Sequence, residues 1–207
     1  MDDLFLLQDS RSNVGSRAMF WRLGGGYTSN LDEAEQFTRE SAVKQYECRE
    51  TDLPWPVDYV RARAQVGVDF QCLDEAQAQV FGLDDDQVYA AYERLWDGND
   101  LYWSCQHATS SSNLDKAVTW PATEAGELRA EGYQVWPKRY IDQQSRPVAI
   151  AALLNHKQAL REVDLKLPKI KRQRIRRYVT HCHGCGRFLS ERQVYGACPN
   201  CDASNAP

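Results

Sequence analysis

The sequence predicts an α+β protein: two small degenerate-repeat α/β modules separated by a helical hairpin, with a C-terminal four-cysteine zinc ribbon. Three observations carry that expectation. Two C-x2-C hooks, Cys182–Cys185 and Cys198–Cys201, stand twelve residues apart. The run Thr28-Ser-Asn-Leu-Asp-Glu-Ala-Glu-Gln-Phe-Thr38 lines up with Ser111-Ser-Asn-Leu-Asp-Lys-Ala-Val-Thr-Trp-Pro121, with five of eleven positions identical. Charge is also divided: residues 1–157 carry a net −10 and residues 158–207 a net +6. The organisation expected is a first module over 1–70, a helical hairpin over 71–98 and a degenerate second module over 99–146. A helix over 147–163, a basic linker over 164–180 and the ribbon over 181–207 follow.

In the first module, Leu4–Leu7 reads as an apolar strand and Ala18–Leu23 as a second. The second strand turns at Gly24-Gly-Gly26, where positive φ carries no Cβ penalty. Thr38 is placed to cap a helix reaching about Arg49, with Ala42, Val43 and Tyr46 on its inner face. The segment Pro54-Trp-Pro56 cannot continue that helix. Trp55-Pro-Val-Asp-Tyr-Val60 matches Trp136-Pro-Lys-Arg-Tyr-Ile141, and Leu4–Gln8 is aligned with Leu101–Gln106. On that alignment the second module lacks the Gly-rich hairpin, and its helix spans about Ala122–Glu131, ending at Gly132.

Between the modules, Asp74–Gly82 and Asp84–Trp96 read as two helices. A DNA-reading helix-turn-helix is disfavoured, because Asp84, Asp85 and Asp86 would face phosphates. They suit a helix N-terminus instead. Pro147 is expected to open the next helix, with Val148, Ala151, Leu154, Leu160 and Val163 as its apolar stripe.

The hooks carry the clearest chemistry. A two-residue gap lets both thiolates of a hook reach one ion, and a short hairpin between hooks returns the second pair to it. Cys182, Cys185, Cys198 and Cys201 are therefore the expected ligands of a structural Zn2+. His181 and His183 flank the first hook, but four cysteines already complete a tetrahedron. Rubredoxin-like iron sites use similar hooks, but the short loop between these two favours zinc. Cys48, Cys72 and Cys105 form no disulfide framework, which suits a reducing cytoplasm.

Upstream of the hooks, Lys166–Arg177 holds seven basic residues and no acid. Lys169, Lys171, Arg172, Arg174, Arg176 and Arg177 suit phosphate contacts and Tyr178 suits base stacking. The plainer reading is a solvated arm lying on the acidic body. Cys105-Gln-His107 brings a thiol near an imidazole without an orienting acid, and no other catalytic set can be picked out, which tilts the reading away from an enzyme. The acidic start, Met1-Asp-Asp, is unlike a secretory signal, and the longest apolar run, Val148–Leu154, is too short to span a bilayer.

The run Phe20-Trp-Arg-Leu-Gly-Gly-Gly-Tyr-Thr-Ser-Asn-Leu-Asp-Glu-Ala-Glu-Gln-Phe-Thr38 resembles a module of small accessory proteins of bacteriophages and prophages. There a Trp-containing strand precedes Gly-Tyr-Thr, a Leu-x-x-Ala step and a Tyr/Phe-Thr helix start. The resemblance covers about residues 4–60 and, less well, 101–141. It implies an accessory protein of the bacterial host cytoplasm that acts by binding a host protein or nucleoprotein, with counter-defence as one such role. No functional residue carries over from it. The function expected is thus a zinc-binding phage-type accessory protein that binds a host macromolecule, a protein ahead of others. The alternative is a nucleic-acid-binding regulator using the basic strip and ribbon.

Overall fold

The computed structural model describes residues 4–82, 85–170, 180–190 and 193–205. They fall into two units, Met1–Pro168 and Lys169–Pro207.

Two antiparallel sheets of five strands organise the first unit. The first sheet contains β1 (Leu4–Val14), β2 (Arg17–Trp21), β3 (Tyr27–Thr28), β4 (Phe37–Thr38) and β5 (Asp52–Pro56), with α1 (Arg39–Cys48) between the last two strands. β1 is its centre. Phe5 pairs with both Phe37 and Pro56, and Gln8 with both Phe20 and Leu53, so β5 takes one edge of β1 while β4 and β2 share the other. Local chemistry sets the ends of these elements. Gly24, Gly25 and Gly26 all have positive φ, and the Thr38 hydroxyl accepts the Ser41 N–H at 3.3 Å to cap α1. The prolines of β5 are tolerated because it lies on an edge.

The chain then runs through α2 (Val57–Arg61), β6 (Gln65–Val68), a 3-10 turn at Phe70–Cys72 and α3 (Glu75–Gly82). The second sheet follows: β7 (Gln87–Asp97), β8 (Asp100–Ser104), β9 (Ser110–Ser111), β10 (Thr119–Pro121), α4 (Ala125–Ala130) and β11 (Tyr133–Pro137). α5 (Lys138–Gln144), β12 (Ser145–Val148), a 3-10 turn at Ala151–Leu153 and α6 (His156–Glu162) close the unit. The second sheet has the strand arrangement of the first: β7 is central, pairing with β8, β10 and β11.

The helices cross between the sheets. β6 pairs with β12. Ala149 and Ala159, the latter on α6, join the core of the first sheet with Leu6, Phe20, Trp55 and Val60. Val68 and, on α3, Ala78 join the core of the second sheet with Tyr89, Trp103 and Ile141. Each exchanged helix is fastened by a tyrosine: the Asn155 N–H donates to Tyr59 Oη at 3.2 Å and the Asp74 N–H to Tyr140 Oη at 2.6 Å. Arg17 and Asp100 meet at the junction, Nε to Oδ2 at 2.6 Å.

Three expectations are corrected here. The helical hairpin over 71–98 is not formed: α3 is helical, but Gln87–Asp97 is the central strand β7. Val88 and Ala90 are buried on one face and Tyr89 and Ala91 on the other, so the strand lacks the polar alternation that would have marked it. Asp85 caps a different helix from the one expected, its carboxylate accepting the Arg139 N–H of α5 at 2.6 Å. The helix over 147–163 is likewise interrupted. Pro147 and Val148 belong to β12, where the Pro147 carbonyl accepts the Leu31 N–H at 2.9 Å and no proline N–H is needed, and only His156–Glu162 is α-helical. Finally, Leu4–Gln8 and Leu101–Gln106 are not counterparts. Leu4–Gln8 lies on the central strand β1, whereas Leu101–Ser104 lies on β8, which flanks the central strand β7.

Candidate metal centre

In the second unit, β13 (Thr180–His181) and β14 (Phe188–Leu189) form a small hairpin that frames the first hook. Both hooks have one backbone plan. After the first, Gly186 takes φ 71°, its N–H donates to the Cys182 carbonyl at 2.8 Å, and the Cys182 N–H donates to the Arg187 carbonyl at 2.8 Å. After the second, Asp202 takes φ 54°, its N–H donates to the Cys198 carbonyl at 2.9 Å, and the Cys198 N–H donates to the Ala203 carbonyl at 2.9 Å. A left-handed residue one place after each hook folds the chain back, so both sulfurs of the hook face the same point. Gly184, inside the first hook, is required by space: a Cβ there would lie 2.8 Å from that of Ala203.

The two hooks bring Cys182, Cys185, Cys198 and Cys201 together, all four Sγ atoms lying within 4.8 Å of one another. Cys182 and Cys201 are 3.6 Å apart and Cys185 and Cys198 3.7 Å apart. A regular tetrahedron with metal–sulfur bonds of about 2.3 Å has edges of about 3.8 Å, so the four fit a metal ion such as zinc. Cys182 and Cys198 are buried and Cys185 and Cys201 exposed.

Hydrogen bonds favour the thiolate at Cys182 and Cys185. The Cys185 and Gly184 N–H groups hold the Cys182 thiol below its usual range, that of Gly184 at 3.3 Å from Sγ. The Arg187 N–H and the Asn200 amide bring Cys185 down to about 6. The Ala203 N–H favours the Cys201 thiolate too, but the neighbouring sulfurs, Cys185 foremost, outweigh it and push Cys201 up to about 12. The sulfurs are thus coupled, and a cation bound among them would displace the protons they hold.

The remaining sequence candidates are not gathered at this centre. His181 packs its ring against Phe188, centroids 4.3 Å apart, and His183 is exposed. Lys169 is exposed and outside regular structure, while Lys171, Arg172, Arg174, Arg176, Arg177 and Tyr178 lie outside the described residues. In the first unit, the Cys105 thiol is pushed up by burial and donates to the Trp103 carbonyl at 3.4 Å, so it is not paired with His107 as a nucleophile. Among the described residues, no helix is long and apolar enough to cross a membrane.

Sequence reasoning passed over an exposed aromatic pair. Phe70 and Trp96 are 37% and 43% exposed with ring centroids 5.2 Å apart, next to Leu95 at 41%. Trp96 and Leu95 sit at the tip of the β7–β8 hairpin, at the places that Asn13 and Ser12 take on β1–β2. The expected helix over 84–96 hid this pair, since a continuous helix has no hairpin tip. No family model matches the chain, and no curated protein or solved structure scores as similar to it.

Proposed function

We propose that this chain is a metal-stapled binding protein whose first unit engages a protein partner. In this reading the four cysteines hold a structural zinc. A closed set of four thiolates fills the tetrahedron, the arrangement of structural rather than catalytic zinc. The observation that carries the partner reading is the Phe70–Trp96 pair with Leu95, apolar and exposed at one hairpin tip where the corresponding tip is polar. Clustered exposed aromatics are a common signature of protein-binding surfaces.

The setting we attach to it is that of a phage-type accessory protein acting on a host protein, takeover or counter-defence being the roles that fit. What supports the setting is the Phe20–Thr38 run. We also read the two sheets as degenerate copies of one module. The matched strand arrangement supports that reading, as does the fall of Thr28 and Ser111 on β3 and β9 and of Trp55 and Trp136 on β5 and β11.

Affinity capture from a bacterial lysate tests the proposal. The expected result is one stoichiometric protein partner, whose retention drops at least about tenfold in the double variant Phe70→Ala/Trp96→Ala. Capture of no partner, or of one indifferent to that variant, overturns it. A second reading, nucleic-acid binding, is favoured by the seven basic residues of Lys166–Arg177. It expects salt-dependent retention on DNA or RNA that is lost when Arg172, Arg174, Arg176 and Arg177 become Glu.

A further inference from the structure

The two sheets put different residues at corresponding positions, and one difference leaves a hole. Strand register fixes the correspondence. Phe20 pairs with Gln8, which pairs with Leu53, and Trp103 pairs with Ala91, which pairs with Gln134. Phe20 and Trp103 are both fully buried in the cores shared with the exchanged helices. The next residue on each strand faces the other side of its sheet, and there the first sheet has Trp21 and the second Ser104.

In the first sheet Trp21 packs edge-on against Phe37 and Tyr27, centroids 6.4 and 6.2 Å away. The corresponding residues in the second are Trp120, which pairs with Val88 as Phe37 pairs with Phe5, and Ser110, which pairs with Ser104 as Tyr27 pairs with Trp21. Two aromatic rings of the first sheet are thus two serines in the second. A cavity of about 460 Å³ opens beside Ser104, where the counterpart of the Trp21 ring is missing, lined by Ser104, Cys105, Val118, Trp120, Leu128 and Tyr133. That volume is in the range of small-molecule sites. Its border includes His107 and Ala108, consecutive non-glycine residues with φ 57° and 54°. Strained backbone of this kind gathers at ligand clamps. Among the described residues, Glu131 is the one acid of the lining and no Lys or Arg contributes to it, which disfavours an anion.

We propose that this cavity binds a free, uncharged planar aromatic molecule of about indole size, held between Ser104 and Trp120 as the Trp21 ring is held beside Phe37. This site goes beyond the partner reading and is independent of it, since that reading rests on Phe70 and Trp96.

Titration of the full chain with indole, followed by amide NMR, tests the site. Saturable shifts at Ser104, Val118 and Leu128 are expected, with a Kd of about 1 mM or lower. Ser104→Trp supplies the missing ring, so it should abolish those shifts and raise Tm by a few degrees, roughly the gain of filling a cavity. Absence of saturable shifts, or shifts that persist in folded Ser104→Trp, overturns the proposal. Should that variant not fold, Trp120→Leu replaces it, with at least about fivefold weaker binding expected and unchanged affinity counting against the site. N-acetyltryptophanamide forms a last arm. Binding tighter than that of indole overturns the assignment to a free molecule, in favour of a protein tryptophan side chain.

Discussion

Arg17 is the residue on which the junction of the first unit turns. Its side chain is 1% exposed, and its guanidinium meets Asp100 at 2.6 Å, Ser112 Oγ at 2.8 Å and Asp97 at 3.6 Å. Asp100 is equally buried and also receives Arg146 at 2.7 Å, which in turn reaches Asp69 at 3.1 Å. Burial pushes the Asp100 carboxyl up, against the pull of Arg146 and Arg17. Gly67 permits this approach, because a Cβ there would lie 2.7 Å from Asp100 Oδ2. Charges so enclosed cost much when one is orphaned and little when both are replaced. Asp100→Leu should therefore cost about 3–5 kcal/mol in urea unfolding, since Arg17 and Arg146 lose their shared carboxylate. The double variant Arg17→Met/Asp100→Leu should cost less than that single change. A double variant as unstable as the sum of its parts would show that the two charges are uncoupled, and would overturn the orphaned-charge account.

The β1–β2 and β7–β8 hairpins abut at their turns, and glycine makes this contact possible. Gly15 has φ 58° and a Cβ there would stand 2.2 Å from Gly98 N, while a Cβ on Gly98, at φ 65°, would stand 2.6 Å from Val14 C. Alanine at either site combines left-handed strain of roughly 1–2 kcal/mol with overpacking of roughly 1–3 kcal/mol. Gly132, at φ 93° with open space around it, isolates the strain. Thermal melts should rank Gly15→Ala and Gly98→Ala well below Gly132→Ala, and equal losses at all three would deny the close contact. Neither this contact nor the exchange of helices was legible in the sequence. An apolar stripe says that a face is buried, not against what, so α3 and α6 could not be assigned to the opposite sheets. β7 was misread because burial on both faces erases period two, and the two alanines at its centre mimic helix composition. The features read correctly were local ones: the Gly24–Gly26 turn, the Thr38 cap and the four cysteines, whose spacing is itself the geometry. The cavity beside Ser104 had a trace in the sequence. Aligning Leu4–Gln8 with Leu101–Gln106 put Trp21 and Ser104 out of step and concealed it.

The two units differ in what holds them together, and that difference decides how metal loss is felt. The clusters of the first unit draw on large side chains such as Phe20, Trp55, Trp103 and Tyr140, all from within residues 4–168. Among the described residues of the second unit the buried set is Cys182, Leu189 and Cys198, with Val194 and Ala203 packed against it. Two of those three are expected ligands, so the core there is chiefly the metal site itself. So small an apolar core does not offset the conformational entropy of its chain, and on the proposed zinc reading binding energy to the ion takes its place. A strong chelator, or Cys185→Ser with Cys198→Ser, should therefore collapse the dispersed amide signals of 180–190 and 193–205 toward random-coil positions. The midpoint of the first unit's urea transition should stay where it was. Metal analysis before chelation should return one zinc per chain, and acidification should release it as the thiolates regain their protons. If the first unit's transition moves with the metal, the ribbon belongs to the same cooperative structure, and the division of labour argued above would have to be redrawn.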